Sequence, residues 1–492
     1  MLRKIRITLA TVMMFLITWL LLDFTGMTHR WLGWVAKIQF LPAVLALNLV
    51  VVTALVLLTL VFGRIYCSVI CPLGIFQDLV SSLNRKKNRF SGSPELRWLR
   101  YGVLVLFVAA LLAGIGSVVA LLAPYSAYGR MVNNLLQPFY IWANNGLAAI
   151  AEHYDSYAFY SREVWLKSLP TFIVAVATFV VLVVLAWRGG RTYCNTICPV
   201  GTVLGFLARF SWFKVYIDTE KCRNCSLCSK NCKASCIDFK NHRVDHSRCV
   251  TCGNCLEKCE FGALHYGHPK KQASTQPVDE PKPDAARRAF LVGGAIVAAD
   301  AALAQAGKKV DGGLAAIEEK KVPHRTTPIT PPGSLSARHM AQHCTGCQLC
   351  VAQCPNDVLR PSSDLKTLMQ PIMSYERGYC RPECHRCSQV CPTGAISPIG
   401  HAVKASTQIG HAVWVKENCV VITDGVLCGN CARHCPSGAI MMVPVDPDDD
   451  TSPMVPAVDR SRCIGCGACE FLCPARPFSA IYVEGHEQHQ TI

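Results

Sequence analysis

Cysteine is the residue type in this chain whose abundance and spacing point most directly to chemistry, with 29 cysteines among 492 residues. From residue 222 onwards most of them form six triplets, each followed by a fourth cysteine after three intervening residues; the first interval is stretched in the triplets that begin at Cys380 and Cys419. This is the spacing of bacterial ferredoxins, in which three close thiolates bind one [4Fe–4S] cluster and the fourth binds a neighbouring cluster. A tight loop reaches three corners of a cubane, and the fourth sulfur ties two loops together. The pattern therefore predicts six [4Fe–4S] clusters.

We number the predicted cluster sites 1 to 6 in the order of their triplets. Their predicted ligands are Cys222, Cys225, Cys228 and Cys259 for site 1; Cys249, Cys252, Cys255 and Cys232 for site 2; Cys344, Cys347, Cys350 and Cys391 for site 3; Cys380, Cys384, Cys387 and Cys354 for site 4; Cys419, Cys428, Cys431 and Cys473 for site 5; and Cys463, Cys466, Cys469 and Cys435 for site 6. Cys236 is an alternative to Cys232 in site 2, because the two thiols are only four residues apart. Zinc is the competing interpretation, but zinc sites usually combine two C-x2-C pairs across a longer arm.

Two further cysteine pairs lie in an internal repeat, in which residues 63–74 and 190–201 agree at eight of twelve positions. Cysteines four residues apart share one face of a helix. If the two repeats face each other, four thiols converge on one site, which we call the cysteine tetrad: Cys67, Cys71, Cys194 and Cys198. A seventh iron–sulfur cluster, a copper site and redox-active dithiols are all compatible with this pattern, and so are buried structural thiols.

Four apolar stretches are long enough to span a bilayer, which takes about 20 helical residues. They are Ile5–Leu22, Leu41–Phe62, Leu99–Ala123 and Pro170–Trp187. The basic N-terminus and the basic loop after the second stretch place both in the cytoplasm. The predicted fold is a membrane α-helical bundle of four transmembrane helices with small α+β bacterial-ferredoxin-like iron–sulfur domains, and residues 289–306 are a candidate fifth span. We expect a multi-pass protein of the bacterial inner membrane.

The sequence divides into a transmembrane domain (1–210), a two-cluster ferredoxin domain (211–266), a linker (267–340) and a four-cluster polyferredoxin domain (341–484). The linker contains Arg287 and Arg288 before the weakly apolar segment 289–306, which resembles a twin-arginine export signal. This predicts a cytoplasmic first ferredoxin domain and a periplasmic polyferredoxin domain. Segment 289–306 either stays in the membrane or is cleaved after the domain has crossed.

The cysteine motifs and the apolar segments together carry a family resemblance. The first 265 residues resemble NapH-type membrane quinol dehydrogenases, and residues 286–482 are similar to NapG-type polyferredoxins, so the chain looks like a fusion of the two. Related modules occur in the NosR and CcoG families. The resemblance implies electron transfer from menaquinol to a periplasmic c-type cytochrome or reductase in anaerobic respiration. An accessory role in metalloenzyme maturation or reactivation, and reverse flow into quinone, remain alternatives.

The chain has no C-x2-C-H heme motif and no G-x-G-x-x-G flavin or nicotinamide motif, so electrons must enter from a quinol or another protein. The resemblance implies that the substrate is a quinol. Tyr125, Tyr128 and Arg130 are candidates for its site, although an aromatic belt at a membrane interface explains the tyrosines equally well. His29 and Arg30 are weaker candidates. Nucleic acid is not an expected partner despite the net charge of +16, since no basic stripe with interleaved aromatic residues is present. How electrons cross about 30 Å of hydrocarbon stays open.

Overall fold

The computed structural model describes residues 2–84, 90, 95–268, 318–449 and 452–492. The twin-arginine motif and segment 289–306 lie outside these residues. Three parts are distinguished below: the helical part (residues 2–208), the first cysteine-rich part (residues 214–267) and the second cysteine-rich part (residues 318–492).

The helical part consists of helices that range from a single turn to about 31 Å in length. They are α1 (Leu2–Leu22), α2 (Met27–Lys37), α3 (Phe40–Leu45), α4 (Leu49–Phe62), α5 (Tyr66–Val69), α6 (Pro72–Leu83), α7 (Arg97–Leu112), α8 (Gly116–Leu122), α9 (Pro124–Met131), α10 (Gln137–His153), α11 (Leu169–Gly189), α12 (Thr192–Thr196) and α13 (Pro199–Ala208), with a π-helical turn at Val132–Leu136. Among the described residues, α1 and α11 are the two helices long and apolar enough to cross a membrane.

The structure does not support the predicted bundle of four continuous spans. The stretch Leu41–Phe62 is divided between α3 and α4, because Leu47 adopts a left-handed conformation (φ 52°) and Asn48 caps the new helix. The stretch Leu99–Ala123 is divided between α7 and α8 at Gly114 (φ 71°). A left-handed residue ends the run of helical hydrogen bonds, so neither stretch forms one span.

The internal repeat gives the helical part a pseudo-twofold arrangement. After α4 and α11 the chain reverses at Gly63 and Gly190, both with positive φ (75° and 67°), where a side chain would be strained. A single helical turn follows in each repeat, and then a Cys-Pro pair begins α6 or α13 with proline in the first turn. Helix α6 packs against α11, and α13 packs against α4, so each repeat lies against the long helix of the other.

The first cysteine-rich part is a small α+β unit. It contains β1 (Lys214–Ile217), α14 (Leu227–Lys230), β2 (Ile237–Asp238), β3 (Arg243–Val244), α15 (Asn254–Lys258) and β4 (Leu264–Gly267). Strands β1 and β4 are antiparallel, and so are β2 and β3. A few aliphatic side chains and the cysteines make up its core, so the unit has little apolar interior apart from its thiols.

The second cysteine-rich part repeats this design with antiparallel strand pairs β5–β6, β7–β10 and β8–β9. Its elements are α16 (Ala337–His343), α17 (Leu349–Ala352), β5 (Leu359–Pro361), β6 (Pro371–Met373), α18 (Arg386–Val390), α19 (His401–Ser406), β7 (Thr407–Trp414), a 3-10 turn (Lys416–Asn418), α20 (Val420–Thr423), α21 (Asn430–Arg433), β8 (Ile440–Pro444), β9 (Met454–Val458), α22 (Ala468–Leu472) and β10 (Ile481–Thr491). Residues 318–340, which the sequence places in the linker, pack on this part: Lys321 N donates to Pro477 O (2.8 Å), and Arg325 pairs with Glu470.

The two cysteine-rich parts lie at opposite ends of α1. At its start, Arg3 forms an ion pair with Glu257 of the first part. Just beyond its end, Gly26 lies against Arg386 of the second part. Helix α1 is 21 residues long, about 31 Å at 1.5 Å per residue. The helical part therefore separates the two groups of predicted clusters.

Candidate iron–sulfur sites and the path between them

The first cysteine-rich part contains two cavities of nearly equal size, each bordered by thiols. The first, about 380 Å³, is lined by all four predicted ligands of site 1. The second, about 360 Å³, is lined by the predicted ligands of site 2 and also by Cys236. The Ala263 N–H donates to the Cys259 sulfur (3.2 Å), as backbone amides do toward cluster thiolates. Both cavities therefore suit a compact, thiolate-bound group.

Five thiols face the cavity of site 2, although a cubane needs four. The sulfurs of Cys232 and Cys236 are 3.4 Å apart. The hydrogen bond from Cys236 lowers the pKa of Cys232 to about 6, whereas the pKa of Cys236 is raised. Cys236 also interacts with Cys249 of the same site, so both Cys232 and Cys236 reach a group bound in this cavity.

In sites 3 to 6, the fourth cysteine of one motif lies beside the triplet of its partner motif. Cys391 interacts electrostatically with the triplet of site 3, and Cys354 interacts with Cys380 and Cys387 of site 4. Cys473 is next to Cys431 of site 5, and Cys435 is next to the triplet of site 6. Each triplet is thus approached by the distant sulfur that the ferredoxin spacing assigns to it.

A single metal ion needs its thiol ligands closer together than a cluster does. Among the described residues, no three Cys, His, Asp or Glu side chains converge closely enough to hold one ion. Zinc binds thiolates at about 2.3 Å, which requires sulfurs within roughly 4 Å of one another. A cubane distributes four thiolates over four irons and needs a wider ring. The donor arrangement therefore fits [4Fe–4S] clusters better than zinc.

All four thiols of the cysteine tetrad are buried at the centre of the helical part, each no more than 5% exposed. They interact electrostatically across the two repeats. Two arginines cross the pseudo-twofold axis in the same way: Arg64 donates to Cys194 O (3.2 Å), and Arg191 donates to Cys67 O (2.6 Å). The structure thus brings the four thiols together.

Buried positive charge surrounds the tetrad. Asp78 is paired with Arg6 (2.8 Å), Arg191 (2.9 Å) and Lys233 (3.3 Å), so one carboxylate faces three cations. Arg64, which is fully buried, donates to uncharged oxygens and to the Cys67 sulfur among the described residues. Unbalanced buried charge is costly, so this surplus favours an anionic group at the tetrad over neutral thiols.

The tetrad is connected to site 2 on one side. Arg64 donates to both the Asn195 amide oxygen (2.8 Å) and Ser247 O (2.9 Å), and it interacts electrostatically with Cys249 of site 2. Lys233, which follows Cys232 in the sequence, accepts a backbone hydrogen bond from Arg191 N (2.8 Å). The arginines that flank the tetrad thus also contact the loops of site 2.

On the other side, helix α9 lies between the tetrad and site 3. Tyr193, which precedes Cys194, donates to Leu122 O (3.2 Å) just before α9. At Gly129 of this helix, a Cβ atom would overlap the carbonyl oxygen of Cys347, so glycine allows the site 3 loop to approach. Tyr125 is buried beside this loop. Side chains therefore connect the tetrad to site 3 without a gap of solvent.

The remaining sites continue this series through direct contacts. Cys350 of site 3 interacts electrostatically with Cys387 of site 4. The Cys380 N–H of site 4 donates to Cys466 O of site 6 (2.9 Å). Sites 5 and 6 are adjacent, because each takes its fourth cysteine from the sequence motif of the other. The sites therefore follow one another in the order 1, 2, tetrad, 3, 4, 6, 5.

The quinol candidates from the sequence are found in two different environments. Tyr125, Tyr128 and Arg130 are buried in α9, no more than 3% exposed, and Tyr128 is bonded to Thr18 (2.7 Å). None of them lines a cavity described for this chain. They form part of the contact between the tetrad and site 3, because the second cysteine-rich part covers α9. His29 and Arg30, in contrast, line an open cavity against that part.

Several charged residues of these sites were not predicted from the sequence. Arg64 and Arg191 could have been recognised, because both precede the cysteines at the same position of each repeat. Lys404, 5% exposed, donates to carbonyl oxygens of the site 4 loop, including that of Cys384. It supplies a cation beside a group that would be anionic. No local motif distinguishes Lys404 from a surface lysine.

Comparison with protein-family models identifies iron–sulfur sequences along most of the chain. A family described as "4Fe-4S binding domain" matches residues 44–90 and 171–217, the two halves of the internal repeat. Families described as "4Fe-4S dicluster domain" match residues 245–358, 343–414 and 426–476. The two ranges matched by the first of these families contain the tetrad cysteines and the helices α6 and α13 that follow them.

Curated relatives carry corresponding descriptions. The methylamine utilization ferredoxin-type protein MauM of Methylobacillus flagellatus is 32% identical over 167 residues, which are 33% of this chain and 70% of that protein. The putative electron transport protein YccM of Escherichia coli K12 is 27% identical over 259 residues, 52% of this chain and 62% of that protein. The ferredoxin-type protein NapF of the same organism is 27% identical over 158 residues, which are 32% of this chain and 87% of that protein. No solved structure matches.

Proposed function

Because the chain belongs to the family of ferredoxin-type 4Fe–4S proteins, we propose that it is a membrane electron relay. It takes electrons from menaquinol and passes them to a periplasmic c-type cytochrome or reductase in anaerobic respiration. The observation that carries this proposal is the unbroken series of thiol sites from one end of the molecule to the other, with the tetrad in the middle.

The six sites hold six [4Fe–4S] clusters with the ligands that the ferredoxin spacing assigns. A bound cluster supplies a one-electron couple whose potential depends on the charges and hydrogen bonds around its sulfurs. The chain supplies those surroundings through backbone amides at sites 1, 3, 5 and 6 and through the buried Lys404 at site 4. Cys232 serves site 2, and Cys236 remains a thiol beside it.

The tetrad holds a seventh iron–sulfur centre. Its four thiols come from two repeats, and both repeats match a family described as a 4Fe–4S binding domain. The buried Arg64 and Arg191 both interact with tetrad thiols, and two cations at this place suit an anionic centre. A centre at this place divides the crossing into two shorter steps.

Anaerobic purification followed by iron and acid-labile sulfide analysis tests this assignment. We expect about 28 irons per chain with the tetrad loaded, against about 24 for six clusters alone. The double variant Cys67→Ser/Cys194→Ser should lose about four irons and keep the rest. A matched control is Cys236→Ser, which should lose none. A tetrad variant with unchanged iron would leave the tetrad without a metal role.

Stopped-flow reduction by a menaquinol analogue tests the direction and the electron source. The proposal expects iron–sulfur absorbance to bleach on mixing, and reoxidation by a c-type cytochrome. A fully loaded protein that quinol does not reduce would instead be an accessory electron donor. A reporter fused after residue 492 tests the periplasmic position of the second cysteine-rich part.

A further inference from the structure

A cavity of about 1140 Å³ lies between α2 and the second cysteine-rich part. Its walls include His29, Trp31 and Trp34 from α2, and Gln353, Arg386 and Gln389 from the facing part. The residues that follow Gln353 and Arg386 are Cys354 and Cys387, both assigned to site 4. The inner wall of the cavity is therefore formed by the loops of a cluster site.

Two side chains in this wall carry buried polar atoms without a hydrogen-bond partner among the described residues, although the His29 ring also interacts with the backbone of Gln389. Gln353 is 1% exposed, and neither its amide nitrogen nor its carbonyl oxygen is hydrogen-bonded. The Nδ1 atom of His29 is likewise buried without a partner. Buried polar groups of this kind are almost always satisfied, so two of them at one cavity point to a ligand with matching donors and acceptors.

The placement of His29 depends on a glycine. A Cβ atom at Gly33 would lie 2.7 Å from the His29 Nε2 atom, so the imidazole can rest on α2 only because position 33 has no side chain. Burial, together with the nearby Lys37, lowers the pKa of His29. In the neutral ring, Nδ1 can accept a hydrogen bond.

The opposite wall is suited to an apolar, aromatic ligand. Helix α2 is amphipathic, and its Trp31 and Trp34 are 78% and 51% exposed although both are large apolar side chains. Arg30 and Lys37 flank them. Tryptophan with basic neighbours on a short amphipathic helix is typical of the membrane–water interface. A ligand dissolved in the lipid can therefore enter beside these rings.

We propose that this cavity binds the head group of a quinol, with His29 Nδ1 and the Gln353 amide as its polar partners. One ring hydroxyl donates to His29 Nδ1 and the other donates to the Gln353 carbonyl oxygen. Oxidation to quinone releases two protons and two electrons: His29 receives the first proton, and solvent at the open side receives the second. A cluster held by the site 4 cysteines would accept the electrons one at a time. This inference rests on the proposed relay function: electrons that enter at site 4 reach the periplasmic acceptor through sites 6 and 5, and site 3, the tetrad and sites 2 and 1 form the other branch of the series.

Binding of the quinol analogue 2-heptyl-4-hydroxyquinoline N-oxide tests the site without requiring turnover. Its fluorescence is quenched on binding, so titration of the anaerobically purified, detergent-solubilised protein gives a Kd. We expect His29→Leu and Gln353→Met each to raise Kd about tenfold, the effect of one lost hydrogen bond to a desolvated group. The exposed Trp31→Ala variant, which does not threaten folding, should also weaken binding.

The matched control is Glu163→Gln, which changes an exposed carboxylate at a separate cavity that also borders the second cysteine-rich part. Its Kd should equal that of the wild type, and all variants should keep their iron. Unchanged affinity in the His29, Gln353 and Trp31 variants, or weakening by Glu163→Gln alone, would overturn this site and leave the relay function intact. Fully loaded wild-type protein that binds no analogue would overturn quinol oxidation itself.

Discussion

Asp78 is the residue at which a single substitution tests the charge balance around the tetrad. Its carboxylate contacts Arg6 of α1, Arg191 of the second repeat and Lys233 of the first cysteine-rich part. The side chains are between 0% and 11% exposed, so water does not screen these pairs. Asp78→Asn keeps the shape and removes the only negative charge shown in this cluster.

The expected cost follows from burial. Removing one partner of a buried ion pair costs about 3–5 kcal/mol, because the other charge is left unpaired. At about 1.4 kcal/mol per factor of ten, this corresponds to an unfolding equilibrium that is roughly 150- to 5,000-fold less favourable to the native state. Three cations share the carboxylate, so we expect the upper half of this range.

The assay is the denaturant-driven loss of the visible iron–sulfur absorbance under anaerobic conditions. Because unfolding releases clusters irreversibly, rates at one denaturant concentration are compared. The control is Glu163→Gln, which breaks a pair of the same length (2.9 Å) whose carboxylate is 71% exposed and should contribute about 1 kcal/mol or less. Equal rates for the two variants would refute the reasoning that the buried Asp78 carboxylate stabilises this junction by pairing with its three cations.

Three further predictions concern other parts of the molecule. Gly74→Ala should fail to accumulate with a full iron content, because its Cβ would overlap the carbonyl oxygen of Cys67, whereas Gly102→Ala, which faces open space, should be neutral. Cys232→Ser should lose the site 2 cluster as judged by iron content, whereas Cys236→Ser should retain it. Burial lowers the pKa of His489 to about 4, so between pH 6.5 and 4 the unfolded state binds a proton that the native state does not, and stability falls as the pH decreases. His489→Gln should reduce the difference in thermal midpoint between pH 7 and pH 5.5, and an unchanged difference would contradict this assignment.

The cysteine motifs could be predicted from sequence because their chemistry is local. Three thiols within a stretch of seven residues must share one loop. The fourth thiol, which follows after three more residues, reaches a neighbouring cluster site. This reasoning placed Cys391 beside the triplet of site 3 and Cys435 beside that of site 6, as the structure has them. Cys232 and Cys236 both reach the same cavity, so the choice between them stays a prediction.

The continuous spans could not be predicted correctly because hydropathy does not report backbone conformation. Leu47 is as apolar as its neighbours, yet it is the left-handed residue that separates α3 from α4. The surroundings of Tyr125 and Arg130 were equally hidden, because a long-range contact with the second cysteine-rich part buries them. Sequence spacing has no information on such contacts when more than 200 residues intervene.

The two helix breaks have a consequence for electron transfer that continuous spans would not allow. At the first break, Ala46 lies against Gly394; at the second, Gly116 lies against Gln370, with no room for a side chain. Both partners belong to the second cysteine-rich part, so this part occupies the space where longer helices would project. Helix α4 has 14 residues, about 21 Å, and is shorter than the roughly 30 Å of a hydrocarbon core. Shortened helices therefore leave room for the site 3 loop to pack on α9, and in the proposed relay this packing would bring site 3 closer to the tetrad.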